Sequence, residues 1–169
     1  MLRKKYILGV GITDETEANI LEYILRGLKK SAEKYYIVTP NPEILVYAVK
    51  HKEFKEILNN ARLALPDGIG VILGGKILGK KFSEKVTGAD LLENLCFAVS
   101  RKPITVGFLG GRGKIAEKTA ECLKSKYPGL KVGFVAAEWP NREIDGRRWK
   151  VEDSNLKMES RKSIYPQSS

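Results

Sequence analysis

The sequence predicts an α/β fold, and three observations carry that expectation. Short apolar runs alternate with longer segments of helical period. Glycine, proline and small polar residues gather at the junctions where an apolar run gives way to a helix. A chain of 169 residues, 43% hydrophobic and 30% charged, is also long and apolar enough for one packed domain. Strands alternating with helices imply a mainly parallel, Rossmann-like sheet with helices on both faces.

Residues 5–10 form a compact apolar run, expected to be a buried first strand. Thr13 stands where a cap would, before a helix that opens on Asp14, Glu15 and Glu17. That helix carries Ile20, Leu21, Ile24 and Leu28 at helical spacing and closes on Lys29 and Lys30, which suit a helix C-terminus. Residues 35–39 make a second strand. Asn41-Pro42 is an N-cap followed by proline at the first helical position, and the helix it starts is expected to run to Asn59-Asn60.

Residues 63–65 are a short third strand, and Pro66-Asp67-Gly68 breaks the pattern before a helix over 69–78. Residues 79–83 form a basic loop, and 88–100 another helix. Residues 104–109 are a fourth strand. Gly110-Gly111-Arg112-Gly113 then turns into a helix that Tyr127-Pro128-Gly129 ends, before a fifth strand at 131–135. Right-handed crossovers put the loops at 11–13, 39–41, 66–68 and 110–113 on one edge of the sheet, the edge where open α/β sheets bind ligands.

The character changes after residue 137. Residues 138–169 hold eight hydrophobic side chains among 32, with seven basic and six acidic residues and no period. The expected organisation is one domain over 1–137 and a poorly ordered tail over 138–169.

Composition removes several function classes. Cys96 and Cys122 are far apart in no metal-binding pattern, and His51 is the only histidine, so a disulfide scaffold, a cysteine zinc site, a His-rich metal site and a Ser-His-Asp triad with a spare base are excluded. Thirty basic residues against 20 acidic ones give a net charge of +10, which favours anionic partners. No recognised nucleic-acid motif or aromatic–basic interleaving accompanies that charge, so no nucleic-acid partner is expected. No apolar run approaches a membrane span, and the N-terminus lacks a leader pattern, so the expected location is cytoplasmic.

Each motif has a bland reading beside its functional one. The glycines at 110, 111 and 113 open a helix after a strand, which suits either a diphosphate or a plain tight turn. Gly74 to Lys80 spells G-x-x-x-x-G-K, but Lys81 follows where a P-loop needs Ser or Thr, so chance explains it. Asp67 is an N-cap or a general base in the crevice, with the cap the simpler reading. Asn41 is most simply a cap, and Thr39 a strand residue.

Four blocks then come in a recognisable order: Val38-Thr39-Pro40-Asn41-Pro42-Glu43, Ala64-Leu65-Pro66-Asp67-Gly68-Ile69-Gly70-Val71, Glu84-Lys85-Val86-Thr87-Gly88-Ala89-Asp90-Leu91, and Val106-Gly107-Phe108-Leu109-Gly110-Gly111. With Lys126-Tyr127-Pro128-Gly129-Leu130 they resemble the WecG/TagA/CpsF glycosyltransferase family over residues 6–134. The resemblance implies an inverting transferase that moves N-acetylmannosamine, or a related hexose, from a UDP-sugar to a polyprenyl-diphosphate-linked N-acetylglucosamine. That chemistry serves teichoic acid and surface polysaccharide synthesis.

The resemblance implies Asp67 as the base and Thr39, Asn41, Gly68, Lys85, Gly88, Asp90, Gly110, Gly111 and Gly113 as substrate-binding positions, with neither metal nor cofactor. It also implies an enzyme peripheral to the inner face of the membrane. Lys85 stands where the family often has arginine, which keeps the charge and loses the two-pronged fork. The family's later Pro-Lys-Gln-Glu-type segment and basic C-terminal appendage have no counterpart here, so the expectation is a C-terminally truncated member. Such a chain should self-associate through an uncovered edge strand or be marginally stable, with sugar transfer very low or absent. The alternative is a catalytically impaired nucleotide-sugar-binding domain.

Overall fold

The computed structural model describes residues 2–30 and 34–136, so the expected tail at 138–169 lies outside the described residues. The chain divides into two compact units, residues 1–102 and 103–169, with the boundary inside the stretch expected to be one domain. The first unit runs β1 (Lys4–Ile7), β2 (Val10–Thr13), α1 (Glu17–Lys30), β3 (Ile37–Val38), α2 (Pro42–Lys50), α3 (Lys52–Asn60), β4 (Leu63–Ala64), α4 (Ile69–Ile77) and α5 (Gly88–Val99). The second holds β5 (Thr105–Leu109), α6 (Ile115–Lys126) and β6 (Lys131–Ala136). The architecture is α/β, with its described strands in three two-stranded sheets.

The first strand differs from expectation. β1 and β2 pair antiparallel, with Ile7 opposite Val10, so the apolar run at 5–10 is a hairpin. Its turn residues Leu8 and Gly9 both have positive φ, 50° and 83°, the backbone whose twist matches a tight hairpin. Thr13 consequently belongs to β2 and caps nothing. It is fully buried, and its Oγ1 accepts the Ala64 N–H at 3.2 Å. Thr16 caps α1 instead, accepting the Asn19 N–H at 3.3 Å, while the Glu84 carboxylate accepts the Glu17 N–H at 3.0 Å.

The helix expected over 41–60 is two helices. His51 breaks it with extended backbone, φ −125° and ψ 94°. The break lets Leu45 and Ala48 of α2 and Leu58 of α3 reach the same core, while the exposed His51 ring stacks on Tyr47 at 3.9 Å.

β3 and β4 are parallel, with Ile37 opposite Leu63 and Val38 opposite Ala64. β4 is covered on both faces, and its alternation sorts the core. Leu63 and Leu65 join Ile20, Ile24, Val86 and Leu91, the cluster built on α1 and α5. Ala64 faces the other way, into Ile7, Ile12, Leu45, Leu58, Val71 and Phe82, the cluster built on the hairpin and α2 to α4. For this pair the expected helices on both faces are present.

The second unit is a β–α–β crossover. β5 and β6 are parallel, with Thr105 opposite Lys131 and a register shift after Val106. α6 buries Ala116, Ala120 and Leu123, and Phe108 of β5 is buried as well. Among the described residues no helix is long and apolar enough to cross a membrane.

One buried charge fastens the first unit. Asp14, only 2% exposed, accepts the Ser83 N–H at 2.7 Å and pairs with the Lys5 ammonium at 2.6 Å. Burial pushes its carboxyl up, but the Lys5 and Ser83 hydrogen bonds outweigh that and hold it below the ordinary aspartate value. A depressed pKa stabilises the fold above the unfolded-state value, and that contribution is lost as the pH falls through the folded-state value. In urea titrations near neutral pH, Asp14→Asn is expected to lower the unfolding free energy by about 2 kcal/mol, the scale of a hydrogen bond to a charged group. The gap to the wild type should close as the pH drops below the carboxylate range. A gap that stays constant into acid would show that the charge contributes nothing.

Candidate active site

The carboxyl ends of β3 and β4 are where the expected residues of the first unit come together. The parallel ladder continues past both strands. The Leu65 N–H donates to the Val38 carbonyl at 2.8 Å, and the Asp67 N–H to the Pro40 carbonyl at 3.3 Å. A third segment joins them, since the Val86 N–H donates to the Pro66 carbonyl at 3.3 Å. Loops 39–41, 65–68 and 84–87 are therefore laced side by side.

Each loop feeds a helix, and the helix starts abut. A Cβ built on Gly70, in the first turn of α4, would lie 2.6 Å from Cγ of Pro42, the first residue of α2. One built on Gly88, the first residue of α5, would lie 3.2 Å from both Oγ1 and Cγ2 of Thr39. Gly88 is thus the residue that lets α5 approach Thr39.

Two of the three helix starts are satisfied by their own side chains. Asn41 Oδ1 accepts the Ile44 N–H at 2.9 Å, which bears out its reading as a cap. Thr87 Oγ1 accepts the Asp90 N–H at 3.1 Å and donates to Asp90 Oδ2 at 2.5 Å. Asp90 is therefore held within its own helix start. Thr87 was not singled out from the sequence, although Thr87-Gly88-Ala89-Asp90 has the spacing of a capping box.

The third start is different. Gly68 is the N-cap of α4 and offers no side-chain cap. Asp67, read most simply as that cap, is one residue too early for the role. Among the described residues nothing hydrogen-bonds or ion-pairs with its half-buried carboxylate. The first amides of α4 are left without a side-chain acceptor, the condition in which a helix start attracts an anion. Gly68 has φ 84° and ψ 155°, a region essentially restricted to glycine, and a Cβ there would meet nothing within 4 Å. Its glycine is required by conformation, not by space. Lys85 is exposed on the third loop, beside the buried Val86.

Gly110, Gly111 and Gly113 lie in the second unit, in the turn from β5 to α6. The Gly110 N–H extends the ladder to the Ala136 carbonyl at 2.9 Å. All three have positive φ, and a Cβ on Gly111 would lie 2.7 Å from Cβ of Ile115. α6 also starts without a side-chain cap. The G-x-x-x-x-G-K stretch at 74–80 runs from helix into loop and has no P-loop geometry.

Comparison with known proteins places the chain in a family. Residues 5–147 match the model of the glycosyl transferase WecG/TagA/CpsF family, a match that continues ten residues past 137, the expected end of the resembling domain. The chain is 34% identical over 97 residues to the N-acetylglucosaminyldiphosphoundecaprenol N-acetyl-beta-D-mannosaminyltransferase of Bacillus spizizenii strain W23, covering 57% of this chain and 38% of that protein. It is 28% identical over 125 residues to proteins of the same name from Staphylococcus aureus strains NCTC 8325 and COL, covering 73% of this chain and 49% of those. The chain thus spans half or less of the length of these relatives. With the family model matching most of its length, the chain belongs to the glycosyl transferase WecG/TagA/CpsF family.

Proposed function

We propose that the chain carries the donor-binding and base-bearing part of an inverting hexosaminyltransferase, which moves N-acetylmannosamine from UDP to a polyprenyl-diphosphate-linked N-acetylglucosamine. The observation that carries this reading is the Asp67 carboxylate, which is half-buried, caps no helix and stands beside an uncapped helix start. The names of the curated relatives supply the sugar and the acceptor.

The chemistry follows from that geometry. The acceptor hydroxyl oxygen forms a bond to the sugar's anomeric carbon while the bond from that carbon to the UDP phosphate oxygen breaks. The hydroxyl proton passes to Asp67, and the electron pair of the broken bond leaves with UDP. A single displacement opposite the leaving group inverts the anomeric centre and needs only this one base. Negative charge grows on the departing diphosphate, where amides at the α4 start and the Lys85 ammonium are suited to receive it. Thr39, Asn41, Gly68, Gly88 and Asp90 are the substrate-binding positions of this reading, on the loops and helix starts beside Asp67. Within the second unit, the uncapped start of α6 after Gly110, Gly111 and Gly113 is suited to a phosphate of a nucleotide. An acceptor built on a polyprenol places the reaction at the membrane surface, and a UDP-sugar places it on the inner face.

Titration calorimetry of this chain with UDP tests the donor reading. Binding that survives a chelator supports a metal-free donor site, and binding abolished by the chelator overturns it. Turnover is measured with UDP-N-acetylmannosamine and the lipid-diphosphate acceptor. UDP binding without any turnover would favour the alternative of a binding domain alone.

Asp67→Asn should keep the fold and UDP binding while abolishing transfer, because the amide preserves size and cannot take the proton. Undiminished turnover in that variant removes Asp67 as the base. Gly68→Ala should cost about 1–3 kcal/mol in urea unfolding, the cost of forcing a side chain into this backbone region. Transfer should fall with it. An unchanged unfolding midpoint would mean that Gly68 is not held at its observed φ.

A further inference from the structure

We propose that the outward face of α4 is a docking surface for an anionic lipid bilayer. A surface helix ordinarily buries its large apolar residues and shows polar ones to water; α4 turns Val71 and Ile72 to the core but leaves its other large apolar residues exposed. Ile69, Leu73 and Ile77, four residues apart along one face, are 62%, 52% and 85% exposed, and Leu78 beyond them is 52% exposed. The inward side is given to Val71 and Gly75. A Cβ on Gly75 would lie 2.6 Å from Cε2 of Phe82 and 2.7 Å from the Lys80 carbonyl oxygen, so only glycine allows this packing. At position 75 the inward side has no room for a side chain.

The charges around this stripe select its partner. No acidic residue occurs between Gly68 and Ser83, while Lys76, Lys80 and Lys81 all do. Apolar side chains flanked by lysines match the acyl boundary and the anionic headgroups of a bilayer, each lysine near the surface adding attraction. A second copy fits less well, since a two-fold contact would set the same three lysines against themselves in a chain of net charge +10. The segment 137–169 fits less well too, since its seven basic and six acidic residues give no opposite charge to offer. α4 starts directly after Asp67 and Gly68. Under the transfer reading, a docked α4 therefore brings the bilayer, and with it a lipid-linked acceptor, to the base. The docking itself rests on the stripe and its lysines alone.

The test is co-sedimentation of the whole chain with vesicles, without substrate, so that docking and transfer fail separately. Phosphatidylcholine vesicles are compared with vesicles containing phosphatidylglycerol. The chain should sediment with the second kind alone and be released by salt. Ile77→Ser, at the most exposed position, should weaken binding about tenfold, the scale of withdrawing one large apolar side chain from the interface. The double variant Lys76→Glu, Lys80→Glu should weaken it by at least that much. Circular dichroism checks that both variants keep the wild-type fold. Equal binding to both vesicle types, no binding, or binding that ignores both variants would overturn the proposal. So would sedimentation velocity showing that Ile77→Ser turns a self-associated chain into a monomer with no vesicle binding, because the stripe would then belong to a second copy.

Discussion

The first unit depends on one charge placed where water cannot reach it. Burying a carboxylate is costly unless charge and hydrogen bonds surround it, and Asp14 has both in Lys5 and the Ser83 amide. Those partners come from opposite ends of the unit, one from β1 and one from the segment that leads into α5. Once Ser83 is fastened, its neighbours act in sequence. Glu84 accepts the Glu17 amide of α1, Val86 enters the core and hydrogen-bonds Pro66, and Thr87 caps α5. A segment with no regular structure thereby gains a fixed path. That path sets the distance between α5 and Thr39.

The candidate site then follows from an imbalance among helix starts. Asn41 and Thr87 spend their side chains on the amides of their own helices. α4 has glycine at its cap and spends nothing. A site for anions needs donors that the protein has not already used, and α4 is the start in this group that keeps them. The glycine also frees Asp67. With backbone that other residues adopt poorly, Gly68 takes the capping position and shifts the aspartate out of it. The non-capping Asp67 carboxylate and the open amides have one cause, the conformation of a single residue.

Much of this was legible from residue patterns, and the failures have physical reasons. Helices with one apolar stripe, such as α1 and α6, were placed within a few residues because burial forces their period. Proline and glycine marked the loops after β3, β4 and β5, since the chain must leave a sheet there. The hairpin was missed because residues 5–10 are apolar on both sides of Leu8-Gly9, and an uninterrupted run looks like one strand. Thr13 resembles a cap for the same reason, since the hairpin moves its position into a buried strand. The split at His51 leaves no mark in composition, because both halves present the same apolar face. For Asp67 the sequence offered two roles, with the cap the simpler. The structure gives the cap position to Gly68 instead.

The shortness of β3 and β4 explains why so much rests on these loops. Two residues of ladder give little hydrogen bonding, so the pair is held mainly by what covers it. Leu63 and Leu65 point into one core and Ala64 into the other, and three successive residues of one segment thus tie both layers together. Directly beyond them the chain carries Pro66 and Asp67, whose backbones continue the ladder as acceptor and donor. The carboxylate therefore stands two residues past a segment clamped on both faces. Its position is determined by core packing behind it and by glycine geometry ahead of it, with no contribution from a side-chain partner of its own among the described residues. The proposed role of taking up a proton would gain from that arrangement, because the carboxylate is positioned by backbone while its oxygens stay unengaged.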